Sequence, residues 1–310
     1  MSAPKLGNLT LSRLMLGTVQ LGMQYGIANR TGQPSYDQAR NILACAYSGG
    51  VTCFDTAAGY GTSEEVLGQA LAELGIADKV VVATKIRHLE GPALSQRAAA
   101  EMIEASVARS LRALRLEALP ICLFHREQDF RYAECLLRLK HQGLVGHIGA
   151  SVMTPEAARE ILRSGLADAL QIPANLVDHR FVRQGILAEA QRGGAVVFAR
   201  SVYLQGLLLM PEREIPPHLR AVVPVRRDLE TLAQAAGMNL AELAARYVLG
   251  LDGLTCALVG VESVEQMRQN LELFARGPLE PALTQAIAEI VPELPESVVM
   301  PTKWLAPKSS

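Results

Sequence analysis

Four side chains that hold and move protons sit where short apolar runs end. Asp55 closes VTCFD, Tyr60 follows in the loop TAAGYGTSEE, Lys85 closes VVVATK, and His125 closes LPICLFH. A carboxylate, a phenol, an ammonium and an imidazole in one place would support proton transfer to or from a reacting group. With Lys85 as a nucleophile they would instead support Schiff-base chemistry, although an adjacent Asp55 leaves a wetter pocket than such lysines need. Each residue alone has an ordinary structural role. An aspartate before Thr-Ala caps a turn, and a tyrosine between glycines packs on a surface. A strand-end lysine snorkels to solvent, and a lone histidine sits satisfied in a core. The combination argues for chemistry, because desolvating an Asp–Lys pair seldom improves stability and three neighbouring strands would bring all four groups to one rim.

The elements that must position them recur along the chain. Short apolar runs occupy Leu14–Gly17, Val51–Asp55, Val80–Lys85, Leu119–His125, Gly146–Ser151, Ala169–Ile172, Val196–Ala199 and Cys256–Gly260. Helix-period segments lie between them, among them Tyr36–Tyr47, Ser63–Leu74, Ala98–Leu114, Thr154–Leu162, Arg183–Gln191, Asn239–Leu249 and Ser263–Phe274. Short apolar runs suit strands buried on both faces, and their alternation with helices implies βαβ units with a parallel sheet. Eight strands and eight helical segments in 310 residues match a closed (β/α)8 TIM barrel; a doubly wound open sheet is the alternative. Lys5–Leu11 reads as a small N-terminal hairpin lid on the barrel floor. Ala275–Ser310, rich in proline and ending VVMPTKWLAPKSS, reads as a loop or short helix forming a C-terminal tail over the barrel.

No composition shift or Pro/Ser/Gly-rich linker interrupts the pattern, so residues 1–310 read as one barrel domain. Hydrophobic residues make up 49% and charged residues 20%, which excludes wholesale disorder. Thirty basic residues against 31 acidic ones leave a net charge of -1 with no like-charge block. That balance offers no footprint for nucleic acid or an anionic membrane. Five cysteines with irregular spacing lack any zinc pattern, and no apolar stretch is long enough to span a bilayer. With no secretory signal at the N-terminus, the expected location is the cytoplasm. A closed barrel has no free strand edge, so a monomer is expected.

The segment GVTCFDTAAGYGTSEEVLG (Gly50–Gly68) closely resembles the fingerprint of the aldo-keto reductases. The resemblance continues through ATK (Ala83–Lys85), LFH (Leu123–His125), GHIGAS (Gly146–Ser151), LQIPANLVDHR (Leu170–Arg180) and VGVESVEQMRQN (Val259–Asn270). It implies a barrel binding a nicotinamide cofactor across its C-terminal mouth and an enzyme reducing a small carbonyl compound. In that reading Tyr60 donates the proton, Lys85 lowers the tyrosine's pKa, Asp55 holds Lys85 charged, and His125 orients the carbonyl and steadies developing negative charge.

The resemblance also implies cofactor contacts. Ser151 and Gln171 would hold the nicotinamide carboxamide, although Val152 replaces the asparagine that usually accompanies that serine. Within ARSVYLQGLLL, Ser201 and Gln205 would lie near the phosphates. Arg200 stands where many members carry an aromatic residue, and reads as a phosphate or substrate-anion ligand or as a surface arginine. NADPH is the family default. Here Gly260, Val261 and Glu262 stand where NADPH-using members have basic residues, followed by Gln266. Glu262 would repel a 2′-phosphate and suit the free ribose of NADH; Arg268 would point away from that face. Asn270 matches the adenine contact.

Met23, Tyr25, Arg126 and Trp304 are the expected walls of the substrate pocket, with an anchor to the outer helices as the other reading of Trp304. Polar groups at the mouth favour a hydroxylated, sugar-like carbonyl. Two further readings are a nicotinamide-binding barrel with a regulatory or structural role, and the lysine-dependent aldolase already raised.

Overall fold

The computed structural model describes residues 3–90 and 94–304. A hairpin of β1 (Lys5–Leu6) and β2 (Leu9–Thr10) precedes eight parallel strands. These are β3 (Leu14–Gly17), β4 (Cys53–Asp55), β5 (Val81–Ile86), β6 (Leu119–Phe124), β7 (Val145–Ser151), β8 (Ala169–Pro173), β9 (Val196–Arg200) and β10 (Cys256–Gly260). Each pairs with the next, and β10 pairs back onto β3, so the sheet closes into a barrel rather than remaining open. The outer layer comprises α1 (Val19–Gly22), α2 (Tyr36–Ser48), α3 (Ser63–Glu73), α4 (Gln96–Leu114), α5 (Ala133–His141), α6 (Pro155–Arg163) and α7 (Arg180–Arg183). It continues with α8 (Ile186–Arg192), α9 (Val223–Ala235), α10 (Leu240–Leu249), α11 (Val264–Ala275), α12 (Pro281–Ile290) and α13 (Glu296–Val299). Among the described residues no helix is long and apolar enough to cross a membrane.

The strand period of two divides the core into two clusters. Met15, Cys53, Val81, Ala83, Ile121, Leu123, Ala169, Val196, Phe198 and Cys256 fill the barrel interior, with Leu6 and Leu11 from the hairpin region closing its floor. The alternate residues, such as Phe54, Val82, Cys122, Phe124, Ile148 and Leu170, pack outward under the helices. All five cysteines are free, and four of them are buried.

The structure departs from the sequence reading at four elements. The segment Arg183–Gln191 is split: α7 ends and α8 begins on either side of Gly185, whose φ of 71° is the left-handed backbone that glycine adopts without strain. Helices α5 and α9 are not among the amphipathic segments named above. Both continue directly from six-residue 3-10 segments, Glu127–Tyr132 and Pro217–Val222, with no capping side chain, whereas α2, α4, α6, α10 and α11 start at Ser35, Ser95, Thr154, Asn239 and Ser263, each accepting from a backbone N–H. The tail contains a ten-residue helix, α12, opened by Pro281 at a position where a missing N–H costs nothing. It packs on α9 in the outer layer. Beyond it, Arg183 Nη2 donates to the Val291 carbonyl at 2.6 Å and Glu296 pairs with Arg180 at 3.7 Å.

Candidate active site

Strand parity aims the polar residues. Asp55 lies two residues beyond interior Cys53, Lys85 two beyond Ala83, His125 two beyond Leu123, Gln171 two beyond Ala169 and Arg200 two beyond Phe198. All therefore face the barrel axis at its C-terminal mouth. Lys85, fully buried, donates to both Asp55 carboxylate oxygens at 2.7 Å and to the Thr56 carbonyl at 2.9 Å, which engages all three of its protons. Gln171 Nε2 donates to Asp55 Oδ1 at 2.7 Å. The Lys85 ammonium stands 5.1 Å from the centre of the Tyr60 ring, and His125 meets that ring edge-on at 5.3 Å. His88, in the loop after β5, lies against His125 with ring centres 4.7 Å apart. Among the described residues, the Nδ1 atoms of both histidines are buried without a partner.

The loop carrying Tyr60 is clamped. Ser63 N donates to the Tyr60 carbonyl at 3.0 Å, and the Ser63 hydroxyl bonds those of Thr18 and Thr56 at 2.7 and 2.9 Å. Gly22 of α1 packs so closely that a Cβ there would fall 2.1 Å from the Tyr60 carbonyl oxygen.

Burial and the neighbouring Asp55 push the Tyr60 hydroxyl above the ordinary tyrosine range, and Arg200 opposes them. The net shift is upward, where the resemblance implied a lowering by Lys85. Asp55, paired with Lys85, also sets its negative charge near the phenol. Burial pulls Lys85 itself below its ordinary value against the pull of Asp55. His125 is lowered to about 2 by burial and by Lys85, His88, Arg200 and Arg126, so its imidazole is neutral. The arrangement offers a protonated phenol and a neutral imidazole to one small region, two groups that can donate hydrogen bonds to a single oxygen.

From that region a cavity of about 540 Å3 runs outward. Asp55, Tyr60, Gln171, Arg200 and Tyr25 line its inner end, Ser201, Tyr203, Gln205 and Gly206 its side, and Gly260, Glu262, Gln266 and Asn270 its outer end. Ser201, Leu204 and Gln205 have φ of 64°, 49° and 54°, left-handed conformations that cost non-glycine residues energy and cluster at functional sites. Gln205 Nε2 donates to the Tyr25 hydroxyl at 2.9 Å, tying this loop to the one after β3. At the outer end Tyr203 donates to Asn270 Oδ1 at 2.6 Å and Gln266 Nε2 to Glu262 at 3.3 Å.

The model of the Aldo/keto reductase family matches residues 13–292. This chain belongs to the aldo/keto reductase family. The reductase is 26% identical to the NADH-specific methylglyoxal reductase of Escherichia coli (strain K12), over 94% of this chain and 97% of that protein. It is also 26% identical to the L-glyceraldehyde 3-phosphate reductase of the same organism, over 84% and 85%. Among solved structures, the glycerol dehydrogenase of Gluconobacter oxydans superposes with a TM-score of 0.72 at 26% identity, covering 97% of this chain and 95% of that one. A holo aldo-keto reductase from Bacillus halodurans gives 0.79 at 22%, over 96% and 99%, a likeness of fold. The chain is thus an NAD(P)H-dependent oxidoreductase acting on carbonyl compounds.

The reductase cavity fits an extended dinucleotide. Its volume is in the range of small-molecule sites, its side is a strained loop, and glycine at 260 keeps its wall open, since a Cβ there would meet Gln20 at 2.4 Å. Several residues expected at the site stand elsewhere. Ser151 is buried beside Gln171 in the β7–β8 register, and Arg268 is exposed; neither lines the cavity. Met23 and Arg126 are exposed at the rim and do not line it. Trp304 does not reach it either: its Nε1 donates to the Val298 carbonyl at 2.9 Å and its ring packs against the core, anchoring the tail. Of the four expected walls, Tyr25 alone lines the cavity. Sequence reasoning passed over His88, three residues past Lys85 in a strand-end loop, and Gln20 and Tyr203, both cavity-lining and both inside segments otherwise read as loop or motif. Their position just beyond strand ends was the available signal.

Proposed function

We propose that the reductase delivers hydride from NADH to a small hydroxylated aldehyde or ketone while Tyr60 delivers the proton to its oxygen. The observation that carries this reading is a half-buried phenol that keeps its proton at the inner end of a dinucleotide-sized cavity, with the Asp55–Lys85 pair beside it and a neutral His125 packed on its ring behind the cavity wall. The nicotinamide supplies the hydride when bound. Tyr60 and His125 donate hydrogen bonds to the carbonyl oxygen, which polarises the carbon and fixes its orientation. As the oxygen gains charge the Tyr60 proton moves onto it. Lys85, beside the ring, stabilises the phenolate until solvent restores the proton. Gln171, its Nε2 committed to Asp55, keeps its carbonyl oxygen for the carboxamide. Ser201 and Gln205 hold the pyrophosphate and Asn270 the adenine.

NADH is favoured over NADPH by the outer end of the cavity. Glu262 and Glu214 line it, and Arg30, the cation there, is paired with Glu214 at 3.4 Å. A carboxylate suits a ribose diol and repels a 2′-phosphate. One relative is named for NADH specificity. The relatives' names, with methylglyoxal, glyceraldehyde 3-phosphate and glycerol in them, support a short polar substrate.

The test is fluorescence titration with NADH and NADPH in parallel, on the wild type and on Tyr60→Phe. NADH should bind about tenfold tighter or better, a difference of about 1.4 kcal/mol. Tyr60→Phe should retain that binding while reduction falls by about 10²–10⁴, the usual contribution of a positioned general acid. Absence of nicotinamide binding, or a fully active Tyr60→Phe, overturns the reading.

A further inference from the structure

A guanidinium that no carboxylate among the described residues pairs with stands at the reacting end of the cavity. Arg200 ends β9, faces inward by strand parity and shares the cavity wall with Tyr60, Asp55, Gln171 and Tyr25. Its Nη2 donates to the Val152 carbonyl at 3.2 Å and lies 2.7 Å from Met153 Sδ, while Nη1 reaches Ser201 Oγ at 3.4 Å. These anchors draw the side chain toward the top of β7, away from β10 and the outer end of the cavity. The two acids whose charge reaches it are already paired, Asp55 with Lys85 at 2.7 Å and Asp178 with Arg180 at 2.7 Å. A guanidinium cannot shed its charge by deprotonation, so this cation is fixed in a partly buried wall.

We propose that Arg200 makes the reductase discriminate between the redox states of its cofactor, holding the reduced form tightly and the oxidised form weakly. This rests on the reading that the cavity binds a nicotinamide with its ring at the Tyr60 end. The reduced ring is uncharged. When hydride leaves it for the carbonyl carbon, and the Tyr60 proton reaches the carbonyl oxygen, the ring becomes a cation. The rest of the cofactor is identical in the two states, so a fixed positive charge at that end acts on the difference alone. Like charges repel strongly where solvent is displaced. Arg200 therefore keeps the empty enzyme loaded with reduced cofactor and hastens loss of the oxidised product.

The proposal is tested by calorimetric titration of the wild type with the reduced and oxidised forms of whichever cofactor, NAD or NADP, it binds. The reduced form should bind at least about tenfold tighter. Arg200→Gln and Arg200→Met should narrow the ratio to about threefold or less, chiefly by a gain in affinity for the oxidised form, and Arg200→Lys should retain most of it. Equal affinities in the wild type overturn the proposal without recourse to any variant. A parallel loss of both affinities in Arg200→Gln and Arg200→Met also overturns it, assigning Arg200 to the phosphates or to the fold. Failure of the wild type to bind either form is a different result: it removes the proposed function as well.

Discussion

Tyr60 and His125 are tuned in opposite directions by the same cause. Burial disfavours whichever form carries charge, so the phenol holds its proton and the imidazole sheds one. Neither group then changes state in the ordinary working range. We expect kcat/KM for carbonyl reduction to be flat from about pH 5 to about pH 9, without an inflection at the usual histidine value. An inflection near 6.5 in a pH–rate profile would mean that His125 acts as a cation and that the electrostatics described here are wrong. The Nδ1 atoms of His88 and His125, without a partner among the described residues, follow the same rule: two imidazoles press on each other, and at His88 burial outweighs the nearby Asp129 and Glu90.

At the level of elements, the site depends on how closely α1 approaches the loop after β4. Gly22 lets Tyr60 and Ser63 be reached by the α1 backbone, and a methyl group there would meet backbone atoms at 2.1 and 2.3 Å. Backbone cannot rotate aside as a side chain can, so the Tyr60 loop must shift. Gly22→Ala should lose stability by about 1–3 kcal/mol, the usual range for overpacking. It should also lower kcat/KM by about tenfold or more, since catalysis falls steeply with misplacement of about 1 Å. Gly193→Ala is the control: φ there is -80° and the nearest atoms are 3.6 Å away, so activity should be unchanged. Full activity in Gly22→Ala would show that Tyr60 is placed by something other than this contact.

For the molecule as a whole, buried neutral histidines set the response to acid. His125 titrates at about 2 and His179 at about 4 when folded, against 6.5 for a free histidine. Below 6.5 the unfolded chain takes up protons that the folded chain refuses, so their stabilisation is complete above that value and is lost as pH falls. Each histidine removes up to about 1.4 kcal/mol per pH unit, His179 down to about 4 and His125 further. Asp168 is raised by burial but lowered to about 2 overall by the hydrogen bonds it accepts from Lys140 and the Ile148 N–H, with His147 3.7 Å away, and adds a loss only below 3.8. The urea midpoint should therefore drop between about pH 7.5 and about pH 5, and His179→Gln should soften that drop. A midpoint unchanged across this interval would refute the assignment of both histidines as buried and neutral.

Much of the barrel and of its mouth was legible in the sequence because strand signals are local. An apolar run with a polar residue two places beyond an inward hydrophobe, as in Cys53–Asp55, Ala83–Lys85 and Leu123–His125, declares both the strand and the direction of its last side chain. The capped helices were equally readable, since Ser35, Ser95, Thr154, Asn239 and Ser263 announce them within a few residues. What the tertiary structure alone decided depends on groups far apart in the chain. The protonation of Tyr60 follows from burial and from charges on other strands, which is why its net shift is upward. The solitude of Arg200 is visible only once Asp55 and Asp178 are seen committed to Lys85 and Arg180. The docking of Trp304 on its own turn, away from the cavity, is likewise a matter of where the tail packs. Periodicity is carried by neighbours in sequence; electrostatic state and docking are carried by neighbours in space, and only folding supplies those.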